Sequence, residues 1–185
     1  MNQGKLEVVK QETARVKINI LGISEVKWTG MGEFNSDDDY IYSCGQESLR
    51  RNGVALIVNK RFWNAVLVCN LQNNRMISIH FQGGSLCLNL GTWNVRFMNQ
   101  GKLQVVKQEM ARVNVDILGI SKLKRTGMGE FNSDDHFNYY WGQEPLRRNG
   151  VAIIVNKRVW NAVLGCSLKN DRMISVSKAN HSISQ

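Results

Sequence analysis

Lys122, Lys124 and Arg125 gather three cationic side chains into four residues, a group that can contact phosphate oxygens. A solvated basic loop is the simpler reading of the same cluster, with phosphate contact the alternative. Arg50-Arg51 and Arg147-Arg148 flank Asn-Gly turns, where exposed basic residues are common. His80, His136 and His181 have no partner at a fixed spacing and read as structural. Cys44, Cys69, Cys87 and Cys166 form no Cys-x-x-Cys pair and have no histidine at metal-ligand spacing. They are expected as reduced, partly buried thiols. Trp63 and Trp93 read as core or half-buried aromatics rather than base-stacking platforms.

The composition around these residues is that of a globular protein. The chain has 185 residues, 43% hydrophobic and 21% charged. No apolar run approaches the roughly 18 to 20 residues that span a bilayer, so no membrane partner is expected. The N-terminal Met1-Asn2-Gln3-Gly4-Lys5 has no apolar stretch behind it, and an intracellular location is expected. Net charge is +9 and unevenly placed. Residues 1–79 hold 10 Lys/Arg against 8 Asp/Glu, whereas residues 80–185 hold 14 against 7. Such a balance suits a polyanionic partner such as DNA, and an ordinary basic surface accounts for it as well.

Internal repetition decides the organisation. Met1-Asn2-Gln3-Gly4-Lys5-Leu6 returns as Met98-Asn99-Gln100-Gly101-Lys102-Leu103, an offset of 97. Over residues 1–79 and 98–176, 58 of 79 aligned positions carry the same residue. This period is far beyond the roughly 20 to 50 residues of solenoid repeats and implies two copies of a domain or domain piece. The expected division is 1–82 for a first partial copy, 83–90 for a linker and strand lead-in, 91–176 for a second partial copy, and 177–185 for a tail.

Each copy reads as mixed α/β. Leu6, Val9, Thr13 and Val16 share one helical face, repeated by Leu103, Val106, Met110 and Val113. The apolar run Ile18 to Ile23 predicts a buried strand. A polar loop is expected over Gly30, Gly32, Asn35 and Ser36-Asp37-Asp38. Arg51-Asn52-Gly53 predicts a hairpin turn into a strand over 54–58, and strands are expected at Trp63 to Cys69 and Met76 to Phe81. Each copy should expose a sheet edge and an apolar face, so the copies are expected to pack on each other or to self-associate.

Three further strings carry a resemblance: Gly91-Thr92-Trp93-Asn94-Val95-Arg96 followed by a helix and Asp116-Ile117-Leu118-Gly119-Ile120-Ser121; Thr29-Gly30-Met31-Gly32-Glu33-Phe34; and Leu49-Arg50-Arg51-Asn52-Gly53-Val54. With Asn73-Asn74-Arg75-Met76-Ile77-Ser78 they resemble the endonuclease/exonuclease/phosphatase superfamily, in particular the apurinic/apyrimidinic-endonuclease-like domain of RTE-type retrotransposons. The likeness covers nearly all of residues 1–176. It implies an α/β sandwich, present here as two tandem copies of its N-terminal half. It also implies an ancestral Mg²⁺-dependent cleavage of DNA phosphodiester bonds, and a nuclear location.

In that family a first-strand Asn and an acidic residue ending the next strand help to hold Mg²⁺ and phosphate, a role suited to hard oxygen donors. Asn94 matches the Asn and Glu25 the acid. They fall in different copies: the first begins after the strand that would carry its Asn, and the second has Lys122 where the acid should stand. Neither copy reaches the family's later motifs, a Tyr, an Asp-x-Asn pair and an Asp-His that polarises water. Ser133-Asp134-Asp135-His136 occupies a different place and reads as a solvated turn. If the strand 86–94 docks beside 18–23 of the first copy, Asn94 comes near Glu25. The resemblance therefore implies a degenerate, catalytically inactive endonuclease with doubtful Mg²⁺ binding. A non-catalytic basic nucleic-acid-binding module and a fragment with no selected role are the alternatives.

Overall fold

The structure, a computed structural model, describes residues 3–47, 53–73, 75–83, 86–95, 100–123, 125–133, 135–142, 150–170 and 173–178. The elements repeat with the sequence. The first repeat contains α1 (Gln3–Arg15), β1 (Ile20–Val26), β2 (Gly30–Ser36), β3 (Asp39–Gly45), β4 (Gly53–Asn59), α2 (Lys60–Trp63), β5 (Val66–Asn73) and β6 (Met76–Gly83). β7 (Leu86–Asn94) follows. The second repeat then gives α3 (Gln100–Arg112), β8 (Ile117–Leu123), β9 (Gly127–Ser133), β10 (His136–Gly142), β11 (Gly150–Asn156), a 3₁₀ turn (Lys157–Ala162), β12 (Val163–Asn170) and β13 (Met173–Lys178).

Local chemistry explains the boundaries. Both long helices end in a left-handed residue, Lys17 (φ 55°) and Asn114 (φ 54°). The turn closes with Ile18 N donating to Thr13 O (3.0 Å) and Val115 N to Met110 O (2.8 Å), which satisfies carbonyls that the helix leaves open. The stretch expected as a polar loop at 30–36 is instead an edge strand, β2, paired along its length with β3. Its side chains are mostly exposed, so its polar, glycine-rich composition costs nothing while its backbone pairs. The strand expected from Trp63 begins only at Val66. Asn59 accepts from Arg61 N (3.2 Å) and caps the short α2, which takes up Trp63. The Asn-Gly turn lies outside the described residues except for Gly53.

The strands form a four-stranded sheet ordered β1-β4-β3-β2, a seven-stranded sheet ordered β5-β6-β7-β8-β11-β10-β9, and the pair β12-β13. The repeats therefore interlock: β5 and β6 of the first join the sheet built by the second. β7 pairs antiparallel with β6 and parallel with β8, closing a β-α-β unit through α3. The stretch 83–90, expected as a linker and lead-in, holds the end of β6 and the first half of β7, because its backbone completes this sheet.

The sandwich has two layers of strands between two helices. β1, β4 and β3 lie over β7, β6 and β5, while β13 and β12 lie over β11 and β10. α1 covers the outer face of the four-stranded sheet, with Leu6, Ile41, Ala55 and Ile57 in the core. α3 covers the seven-stranded sheet through Val106, Met110, Leu118, Ile120 and Ile154. Between the layers, Tyr42, Leu56, Ile77 and Ile79 form one apolar cluster, and Leu88, Ile153, Val155 and Val163 another. Burying side chains of this size contributes on the order of 1.5–3 kcal/mol each, which is what holds the interlocked repeats together.

Candidate functional site

The carboxyl ends of β1, β7 and β8 bear the residues singled out from the sequence. Glu25 and Lys122 occupy equivalent positions in the two repeats, each one residue before the end of its strand. Both have left-handed backbones, φ 62° and 63°, although neither is glycine. Both sit where strand pairing slips, between Ser24 and Val26 against β4 and opposite Gly150 and Val151 of β11. A bulge with a strained residue re-aims its side chain out of the regular alternation, and such features concentrate at functional sites. No glycine or asparagine marks these positions, so the sequence gives no sign of the strain.

The bulges bring the two side chains together. Lys122 Nζ forms an ion pair with Glu25 Oε1. Equivalent positions of the repeats thus meet across the sandwich, and the E-to-K difference between them turns what would be two like charges into a neutral pair. Glu25 is exposed and Lys122 half-buried, so the pair is worth at most about 1 kcal/mol. Its significance is chemical.

Asn94 is buried at the end of β7 and stands opposite Ser121 in the parallel pairing with β8. It is therefore one residue from Lys122 in register. The alignment of β7 with β1 differs from side-by-side docking: β7 hydrogen-bonds to β8 and lies face-on across β1 from the opposing layer. Thr92 fills the space above Gly22, where a methyl group would come within 2.7 Å of Thr92 Cβ.

The remaining candidates are dispersed. Arg125 lays its guanidinium over Phe131 (5.2 Å) and Tyr140 (4.9 Å), packing on its own hairpin. In the first repeat Trp28 takes this position and packs edge-on against Phe34. Lys124 lies outside the described residues. Trp63 stacks on Tyr40 at 5.3 Å, and Trp93 packs against the core beneath α3. His80 Nδ1 meets Asn89 Oδ1 at 2.8 Å across the β6–β7 pairing. His136 is buried beside the β9–β10 turn, opposite Ser133. Burial pushes the thiols of Cys69 and Cys166 up to about 12, and Cys87 is exposed.

Sequence reasoning passed over Asp116. Its carboxylate is buried, accepts from Asn89 N (2.9 Å) and pairs with Arg158, whose other arm reaches Asn114 Oδ1 (2.6 Å). This network anchors β7 beside β8. The signal was available: Asn19 stands at the equivalent position of the first repeat, where among the described residues β1 has only β4 beside it.

The donor set at the strand ends does not fit a divalent cation. Mg²⁺ takes oxygen ligands, commonly one or two carboxylates with waters. Here the exposed carboxylate is neutralised by an ammonium, which repels a cation. Among the described residues no group of three or more His, Cys, Asp or Glu is placed to hold a metal.

The architecture is that of an endonuclease-type α/β sandwich. It matches the endonuclease domain of TRAS1, a telomere-specific non-LTR retrotransposon, with a TM-score of 0.53 over 91% of this chain and 85% of that one, at 12% identity. In sequence, 87 residues (47% of the chain) are 77% identical to craniofacial development protein 2 of Bos taurus and 76% identical to that of Tragulus javanicus. The matched stretch is 15% of the length of those relatives. No protein-family profile matches the chain.

Proposed function

We propose that the chain is a degenerate retrotransposon-type endonuclease that keeps the fold and has lost divalent-dependent cleavage of DNA. The observation that carries this reading is the Glu25–Lys122 ion pair at the strand ends. Hydrolysing a phosphodiester requires oxygen donors that neutralise charge developing on the phosphate, together with an activated water. A lysine in that position supplies positive charge, yet leaves the acid beside it occupied. Asn94 thus stands at the end of β7 beside a strand whose end carries Lys122 in place of an acid.

The net charge of +9 favours, as a second reading, contact with the DNA backbone without scission. Binding of this kind weakens steeply with salt because phosphate contacts release counterions. On this reading the chain acts in the nucleus.

A plasmid-nicking assay in Mg²⁺ tests the first reading. The wild type and Glu25→Ala should both leave supercoiled DNA intact, while filter binding at low salt separates the second reading from no interaction. Nicking by the wild type that disappears in Glu25→Ala would overturn the proposal.

A further inference from the structure

The repeats act as controls for one another where the chain enters β1 and β8. In the second repeat Arg158 is tied down: its guanidinium pairs with the buried Asp116 carboxylate and donates to Asn114 Oδ1 at 2.6 Å. In the first repeat Asn19 and Lys17 stand at those two positions, with Arg61 in place of Arg158. The backbone is the same in both. Lys17 and Asn114 are left-handed, φ 55° and 54°. Asn59 N donates to Asn19 O at 2.9 Å, and Asn156 N to Asp116 O at 2.8 Å. On one framework, therefore, a carboxylate has become an amide and a hydrogen-bond acceptor has become a cation.

Two cations are released as a result. Lys17 and Arg61 are exposed, and among the described residues neither side chain has an ion pair or hydrogen bond. The acids at this end are largely occupied: Asp37 pairs with Lys10, and Asp39 is buried. Asp38 is the exposed exception, and it lies beside Lys60, whose N–H donates to Asp38 O at 2.8 Å.

An aromatic surface adjoins these cations. Trp63, expected as a core or half-buried aromatic, is 45% exposed. Its indole stacks on Tyr40 at 5.3 Å and 27°, and Tyr40 in turn leans on Tyr42 at 4.9 Å, so the ring is held from behind. The equivalent Trp160 is half-buried against Phe137 at 4.1 Å and Tyr139 at 6.0 Å. Ile20 of β1 and Tyr40 of β3 both pair with Val58 of β4. The entry to β1 and the support of Trp63 are thus two strand spacings apart, about 10 Å.

We propose that this end of the first repeat binds single-stranded nucleic acid, with a base stacked on Trp63 and neighbouring phosphates on Lys17 and Arg61. Every base has a π-face, so such a contact tolerates any sequence, and it requires the base to be unpaired. The net charge of +9 favours a polyanion. The surface is separate from the strand-end site: Glu25 lies near the far end of β1 from Ile20, about 17 Å away. The inference rests on the second functional reading, backbone contact without scission, and adds a base contact to it.

The test titrates the full chain into a short fluorescein-labelled oligothymidylate at low salt. Fluorescence anisotropy should show saturable binding, tighter than that of a duplex of equal length, and an oligouridylate should behave likewise. Trp63→Leu should weaken binding at least about fivefold, the low end for one stacked base. Asn19→Asp gives Arg61 the carboxylate that Arg158 already has. It should also weaken binding and lower the salt slope by about 0.7, one phosphate contact on a single strand. Its thermal midpoint should stay within a few degrees of wild type, because position 19 is exposed. Unchanged affinity in either variant, or duplex binding as tight as that of the single strand, overturns this inference and leaves the second functional reading standing. Absence of binding to both forms removes the two together.

Discussion

Gly22 and Gly119 occupy the same position in two nearly identical strands, and alanine at each should have opposite effects. At Gly22 the new methyl would stand 2.7 Å from Thr92 Cβ and 2.9 Å from its Oγ1, against an optimum near 3.5–4.0 Å for carbon pairs. Neither atom is the flexible end of a side chain, so strands β1 and β7 must separate. Overpacking of this kind costs about 1–3 kcal/mol. Replacing glycine lowers the entropy of the unfolded chain and returns about 0.4–1 kcal/mol where the backbone accepts a side chain. Neither glycine has a positive φ, so both positions receive that return. Gly22→Ala should therefore destabilise by about 1–2 kcal/mol net. At Gly119 nothing lies closer than 3.7 Å, and only the favourable term acts. With about 2–4 °C per kcal/mol expected at this chain length, the thermal midpoints of the two variants should differ by roughly 3–12 °C. Circular dichroism melts, run beside guanidinium titrations, measure it. Equal shifts for both variants would refute the face-on packing of Thr92 over the first repeat alone.

Lys122→Glu should create divalent binding that the wild type lacks, seen by calorimetric titration with Mg²⁺ or Ca²⁺. Glu25 already shows that a glutamate takes this left-handed backbone, and two facing carboxylates form a cation site. Brief alkylation followed by mass spectrometry should label Cys87 first, because it is exposed, while burial holds Cys69 and Cys166 protonated up to about 12. Labelling of Cys69 at the rate of Cys87 near neutral pH would contradict the packing of β5. Burial also raises the Asp39 carboxyl above its ordinary value, so the folded state binds its proton more tightly than the unfolded state does. Its charged form therefore opposes folding at neutral pH, and this penalty fades as pH falls through the raised value. Asp39→Asn should accordingly match or exceed wild-type stability at pH 7, with the difference shrinking in acid, as pH-dependent melts would show. Arg158→Ala should destabilise by about 1–3 kcal/mol, because the buried Asp116 carboxylate loses a half-exposed cation while keeping the Asn89 N–H.

Much of this protein was written in the chain itself. The 97-residue offset, the helical face from Leu6 to Thr13 and its copy, and the apolar runs that became β1, β4 and β6 all follow from side-chain periodicity, which is a local property. The strings around Gly91–Arg96 and Asp116–Ser121 carried the endonuclease-type fold. β2 carries no strand signal in its side chains because backbone pairing at an edge asks nothing of side chains that face water. The partnership of the strands was beyond such reading: β5 and β6 could have closed on their own repeat, and near-identical copies offer nearly identical docking surfaces. Tertiary structure made the choice, because only one arrangement lets β7 pair with β6 and β8 at once while Thr92 settles on Gly22. It also made Glu25 and Lys122 partners. The sequence shows which residues they are, but their meeting depends on two bulges and a face-to-face stacking of strands nearly a hundred residues apart. Such long-range geometry is the sum of many contacts, and no short window of residues encodes it.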